Sequence, residues 1–483
     1  MGKNWGRGVL IALAAVLTLS ACSGKGEGPG ADENKTSEGN VAGLPVTHFE
    51  SGLKPEAPAP NLNVKNATDS VEDKIAIASI ADVSDYWAQE MPVHFGQQFE
   101  PVKQLQSYDP TTDREEVCGA SLKEAAMNAF FCPPEDLVAW DRKQLLPLLN
   151  EEFGPMAIVT VLGHEFGHAV QYRLGDKAGM TKNTSTLVKE QQADCFTGGY
   201  FRWMAEEKSK YFRVSTSEGI NQVLASLYMI RDQAGQSAKD KSAHGTAFDR
   251  TFAFQLGFEK GAKECAGINQ QNVDERITER PFDKQDKGEG DAKIDMTAIG
   301  HLQESLDKAF GKAGAQPPKI VDDGGSCPGG PATPPASYCP DSNTVSIDLQ
   351  ALNAIGRTGD RKAEFEGEDP GGLGDFAAFA EVASRYTQGI QKGVGASIDN
   401  ANAGLRTACL VGSWAAESNK PGAKLKLRLS SGDLDEAIAE LLQPKSVIAA
   451  DVNGKQVENG FERVESLRRG YLEGSGFCTQ NYG

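Results

Sequence analysis

Along the chain, apolar and polar positions fall into blocks. Behind Lys3 and Arg7 stands a continuous apolar run from Val9 to Leu19, and it ends at Leu19-Ser20-Ala21-Cys22. Basic residues, a short apolar stretch and small residues in that order are the layout of a cleavable export signal, and the run is too short to span a bilayer comfortably, an uncleaved membrane segment being the alternative. From 23 to about 68 the pattern inverts: Gly, Pro, Ser, Asn and charge dominate, with little to bury. That composition predicts a flexible tether over 22–69. Farther on, Gly154-Pro155 opens a stretch of helical composition, Met156 to Tyr172, with no further proline. Proline at a first helical turn forfeits no intrahelical bond, so the spacing predicts a helix here.

Several blocks occur twice. Phe131-Cys132-Pro133, with Val138 and Asp141 following, recurs as Tyr338-Cys339-Pro340 with Val345 and Asp348 at the same offsets. Gly154, Ala157, Gln171 and Gly175 align with Gly374, Ala377, Gln391 and Gly395, and Cys195 to Gly198 with Cys409 to Gly412. Both series close alike, Phe248, Arg250, Gly257, Gly261 and Cys265 matching Phe461, Arg463, Gly470, Gly474 and Cys478. Matched blocks in conserved order predict an internal duplication. The charged stretch from Asp283 to Lys293 marks the boundary, which divides the chain into a signal (1–21), the tether (22–69), a first domain (70–290) and a second (291–483).

The chain has 49 Lys and Arg against 67 Asp and Glu, a formal net charge of -18, and loss of the leader would make it more negative. An acidic body of this kind argues against nucleic acid as a partner. Leu19-Ser20-Ala21-Cys22 resembles the bacterial lipobox, which implies that Cys22 is fatty-acylated, begins the mature chain and anchors it to the cell membrane on its outer side. Of nine cysteines, that leaves eight: Cys118, Cys132, Cys195, Cys265, Cys327, Cys339, Cys409 and Cys478. An even number in an exported chain points to disulfides. If each bond has an equivalent in the other copy, the simplest pairing is Cys118 with Cys132, Cys195 with Cys265, Cys327 with Cys339 and Cys409 with Cys478. Other pairings stay open on sequence alone.

The chemistry concentrates in the first copy. His164-Glu165-Phe166-Gly167-His168 sits within the expected helix. Residues four apart share a face, so two imidazoles can meet one zinc ion while Glu165 reaches a water beside it. Twenty-two residues on lies Glu190-Gln191-Gln192-Ala193-Asp194. On a second helix, Glu190 would serve as the third ligand, and Asp194 would accept a hydrogen bond from a ligand histidine. Two histidines, a carboxylate and an open position form the ligand set of a hydrolytic zinc centre, with Glu165 as the base. His244 lies outside this spacing, and its suggested role is donation to the oxyanion of a tetrahedral intermediate; capping a turn is the alternative.

Phe131-Cys132-Pro133, His164 to His168, Glu190 to Cys195 and His244-Gly245-Thr246 together resemble the bacterial putative neutral zinc metallopeptidases, over roughly residues 70–270. The resemblance implies zinc as cofactor and a peptide or protein as substrate. In the second copy Ser384, Arg385 and Gln388 stand opposite His164, Glu165 and His168, Gly404 and Ala408 opposite Glu190 and Asp194, and Asn459 opposite His244. The expectation is therefore a mainly α fold, with α+β as the alternative: a zincin-like metallopeptidase domain followed by a degenerate pseudo-peptidase copy. The competing functional reading is a silent binding or scaffold lipoprotein built on a peptidase fold.

Overall fold

A computed structural model of the protein describes residues 39–284, 291–365, 369–420 and 425–483. The signal 1–21 and Cys22 lie outside these. No helix among the described residues is long and apolar enough to cross a membrane.

The fold is mainly helical. Its first half opens with α1 (Val71–Phe95), whose start is capped by Ser70. A small sheet follows, formed by β1 (Gln104–Tyr108), β2 (Ala129–Cys132) and β3 (Leu137–Asp141) in the order β1-β3-β2. β1 runs parallel to β3, and β2 pairs with it antiparallel, Phe131 opposite Val138. Then come α2 (Pro155–Leu174), α3 (Thr186–Ala205), α4 (Glu218–Met229) and α5 (Ala247–Lys260). Pro155 stands in the first turn of α2, where its missing N–H costs no helical bond. Ser185 and Thr246 cap α3 and α5 by accepting from the backbone N–H three residues on.

The same order returns after residue 291: α6 (Met296–Phe310), strands β4 (Lys319–Asp322), β5 (Ala336–Cys339) and β6 (Thr344–Ile347), then α7 (Asp375–Gly393), α8 (Ala403–Ser418), α9 (Asp433–Leu442) and α10 (Gly460–Glu473). The strands lie in the order β4-β6-β5, again one parallel and one antiparallel pair. Disulfides join Cys118 to Cys132 and Cys327 to Cys339 beside the sheets, Cys195 to Cys265 and Cys409 to Cys478 between helices. Bonds of this number persist in an oxidising compartment.

The described residues form one compact unit, and one hydrophobic core runs through both halves. Their contact is nearly two-fold symmetric. Phe248 of α5 meets Tyr471 of α10 at 5.3 Å, and Phe258 of α5 meets Phe461 of α10 at 5.2 Å. Gln255 Nε2 donates to the Phe461 carbonyl between them. Such reciprocal pairing is the geometry of an isologous dimer, here within one chain.

The tether reading needs correction over its second part. Residues 39–69 lie on the body: Gly52–Leu53 pairs with Phe212–Arg213, Thr47 and Thr216 exchange hydrogen bonds, and Val41 is fully buried. Composition misleads here because the segment is held by backbone and hydroxyl bonds to another part of the chain rather than by a core of its own.

Glycine permits the closest helix contact in each half. A Cβ on Gly198 of α3 would stand 1.9 Å from the Phe254 carbonyl oxygen of α5, and one on Gly257 would stand 1.7 Å from that of Cys195. Gly412 and Gly470 face the Leu467 and Cys409 carbonyls at 1.9 and 1.8 Å in the same way. Backbone carbonyls cannot rotate aside, so Gly198→Ala should cost about 3 kcal/mol or more by forcing the helices apart. A melting temperature unchanged from wild type would show that the helices can separate freely.

Candidate metal centre

α2 and α3 cross with Gly167 against Ala193, where a Cβ would already stand 3.0 Å from the Ala193 Cα. This approach lays Glu190 and Asp194, one turn apart on α3, across His164 and His168, one turn apart on α2. Glu190 Oε2 lies 3.0 Å from His164 Nε2, and its Oε1 lies 3.4 Å from His168 Nε2. One ligand atom from each of the three residues falls within 4.8 Å of the others.

Both imidazoles are held from behind. His164 Nδ1 donates to Asp194 Oδ1 at 2.7 Å. His168 Nδ1 donates to Gln171 Oε1 at 3.0 Å, and the Gln171 amide is oriented by its own donation to the Lys189 carbonyl at 2.6 Å. With each Nδ1 carrying the proton, both Nε2 lone pairs face the Glu190 carboxylate, so acceptors meet an acceptor. A cation or added protons must fill the space between them. The titration behaviour follows from this. Burial disfavours an imidazolium at His164, but Asp194 and Glu190 outweigh it and push the pKa up to about 10. Burial likewise opposes charge on Glu190, yet the two histidines hold its carboxyl well below the usual range. The residues present therefore fit a divalent ion with two nitrogen ligands and one oxygen ligand.

One further residue completes the surroundings. Arg250, buried on α5, donates from Nη2 to Asp194 Oδ1 at 2.9 Å and from Nη1 to the Ile230 carbonyl at 3.1 Å. In the second half Arg463 Nη1 donates to the Gln443 carbonyl at 3.4 Å, the matching bond to the end of α9, with Ala408 in place of the aspartate. Arg250 thus combines a structural strap common to both halves with a bond peculiar to the first. In the sequence, Gln171 and Arg250 stand out only as members of the repeated blocks. The spacing of Gln171, three residues after His168 and so on the same helical face, was the available signal.

Glu165 is half-buried and its Oε2 accepts from the Phe131 N–H at 3.0 Å, beside edge strand β2. From Met156 to Tyr172, the residues of α2 that reach solvent are Glu165, His168 and Tyr172. His244 stands elsewhere in the contact network. Its backbone N–H and Nδ1 pair with Asp232, its side chain is half exposed, and among the described residues no hydrogen bond links it to His164, His168 or Glu190. The adjoining Gly245 packs beside Leu187 and Gln191 of α3, which sets this loop next to Glu190.

The equivalent place in the second half is closed. Every residue of α7 from Asp375 to Gln391 is buried. Arg385 donates to the carbonyls of Asp451, Val447 and Ala450, and Gln388 donates to that of Ala450. Ala449 and Val457 press on Gly404, leaving no room for a side chain where Glu190 stands in the first half. Asn459 is not the counterpart of His244: it caps α10 as Thr246 caps α5, which puts Val457 opposite His244. A second acidic group, Asp291, Asp375 and Glu436, also lies within 4.8 Å. There burial and the neighbouring Asp433 push Asp375 up to about 8, and burial with Asp433 likewise pushes Glu436 well up.

A mainly helical body thus carries two imidazoles and a carboxylate around one point, with a second carboxylate alongside, a donor set able to hold a divalent ion. Residues 46–268 match the family described as putative neutral zinc metallopeptidase. Among curated proteins, uncharacterized proteins of Mycobacterium bovis and Mycobacterium tuberculosis are 26% identical over 163 residues, covering 30% of this chain and 55% of each relative. The chain thus spans about half the length of the curated relatives it matches. No solved structure matches.

Proposed function

We propose that the protein is a zinc-dependent hydrolase of peptide bonds, held at the outer face of the cell membrane by a lipid on Cys22. The observation that carries this reading is the convergence of His164 Nε2, His168 Nε2 and the Glu190 carboxylate, with an accessible Glu165 one residue beyond the first histidine. Zinc held there would supply a Lewis acid, polarising a peptide carbonyl and lowering the pKa of a water. Glu165 takes a proton from the attacking water and returns it to the leaving amine. Asp194 and Gln171 fix the tautomer and the aim of the two imidazoles. Asp232 orients His244 for donation to the developing oxyanion. The eight cysteines among the described residues take no part as nucleophiles, since all of them are in disulfides.

The second half, in this reading, is a degenerate copy whose chemistry is gone and whose packing remains. The silent-scaffold alternative describes that half well, with its buried α7 and filled ligand positions, but not the first half, where donors and base are intact and open. Metal analysis of the purified full chain, paired with cleavage of a peptide library, tests the proposal: about one zinc per chain and metal-dependent cleavage are expected. For the anchor, metabolic labelling with a fatty-acid analogue should mark the wild type and not Cys22→Ala. Labelling that persists in the variant would overturn the lipid assignment.

A further inference from the structure

Among the described Phe, Tyr and Trp residues Tyr172 alone is exposed, at 62% of its free surface. It lies four residues after His168 and seven after Glu165, so the three form one stripe on α2, and between Met156 and Tyr172 that stripe is all of the helix that solvent reaches. Its ring stands 6.1 Å from the half-buried ring of Phe131, whose backbone N–H is held by Glu165. An aromatic wall thus adjoins the carboxylate assigned to proton transfer.

The second half acts as an internal comparison. Lys392 occupies the position of Tyr172, and its Nζ bonds the Pro340 carbonyl. Tyr338, opposite Phe131, is buried and donates its hydroxyl to Asn343. Where the metal-ligating residues are gone, the aromatic pair is gone too. An exposed tyrosine gains nothing for the folded state by lying in water, and its loss from the closed half sets it apart from the framework residues retained in both.

We propose that Tyr172, backed by Phe131, forms a specificity subsite that receives a large apolar or aromatic side chain of the peptide substrate, next to the bond that Glu165 acts upon. This rests on the hydrolase reading above. A ring offers such a side chain an edge or face at little conformational cost, and offers Gly or a carboxylate nothing comparable.

The test uses the zinc-loaded full chain and peptides varied one position at a time on either side of the scissile bond. Wild type should favour Phe, Tyr, Leu or Met at one fixed position. Tyr172→Ala should lower kcat/KM for those peptides by about 3- to 10-fold. It should leave peptides with Gly or Asp at that position unchanged, with wild-type zinc content and melting temperature. Tyr172→Phe should keep the wild-type profile. An equal loss for every peptide, or an unchanged profile, overturns the inference. If wild type cleaves nothing, the hydrolase reading fails by itself, and calorimetric binding of the same uncleaved peptides decides the subsite. Tighter binding of Phe peptides than Gly peptides, lost in Tyr172→Ala, upholds it; no such preference overturns it.

Discussion

Glu165→Gln should retain one zinc per chain and lose peptide hydrolysis by about 10^2- to 10^4-fold, the range that a positioned general base contributes. The amide preserves size and the bond accepted from the Phe131 N–H, since its oxygen can take the place of Oε2. What it lacks is the capacity to take a proton. Metal content should stay the same because Glu165 is outside the group formed by His164, His168 and Glu190. Parallel measurement of zinc and of kcat on one preparation separates the two effects. A variant with wild-type activity would remove Glu165 from the mechanism. One that also loses zinc would make it a ligand or a structural support.

Removing a ligand should have a different signature. His164→Ala is expected to abolish tight zinc binding, and with it all metal-dependent cleavage, because Glu190 and His168 alone offer too few donors for a stable site. Glu190→Ala should behave similarly. Asp194→Asn, by contrast, keeps a side chain of the same shape behind His164 Nδ1 and should weaken zinc by about 10- to 100-fold. Isothermal titration of the stripped protein with zinc, across wild type and the three variants, resolves this order. Asp194→Asn costing more than Glu190→Ala would mean that their roles are exchanged. The loss of His164 also removes an imidazole that Asp194 and Glu190 would otherwise keep protonated, leaving those two carboxylates without their shared partner. The His164→Ala chain should consequently be less stable than the zinc-free wild type.

How far sequence can carry such a reading depends on the range of the interaction. His164 and His168 are one turn apart, as are Glu190 and Asp194, so helical periodicity alone tells which side chains share a face. The repeated blocks likewise reveal two similar halves, because cysteines and glycines recur wherever a disulfide or a close helix crossing demands them. Gly198 and Gly257 show why: a carbonyl occupies the place of a Cβ at each. Helical content is legible for the same reason, being written in local spacing and in the placement of Pro155.

Contacts that join distant segments had no such signature. Composition alone assigned 39–69 to the tether, whereas backbone pairing with Phe212–Arg213 lays it on the body. Nothing local ties Gln171 to the Lys189 carbonyl, Arg250 to Asp194, or Glu165 to the Phe131 N–H. The closing of the second half by Val447, Ala450 and Asp451 over Arg385 is equally invisible in the chain order. The residue types available for chemistry, and the faces on which neighbours lie, are legible in the chain because both are set within a few residues. Which faces meet, and which stay open to solvent, emerges from folding, because burial and long-range hydrogen bonds depend on how the whole chain packs.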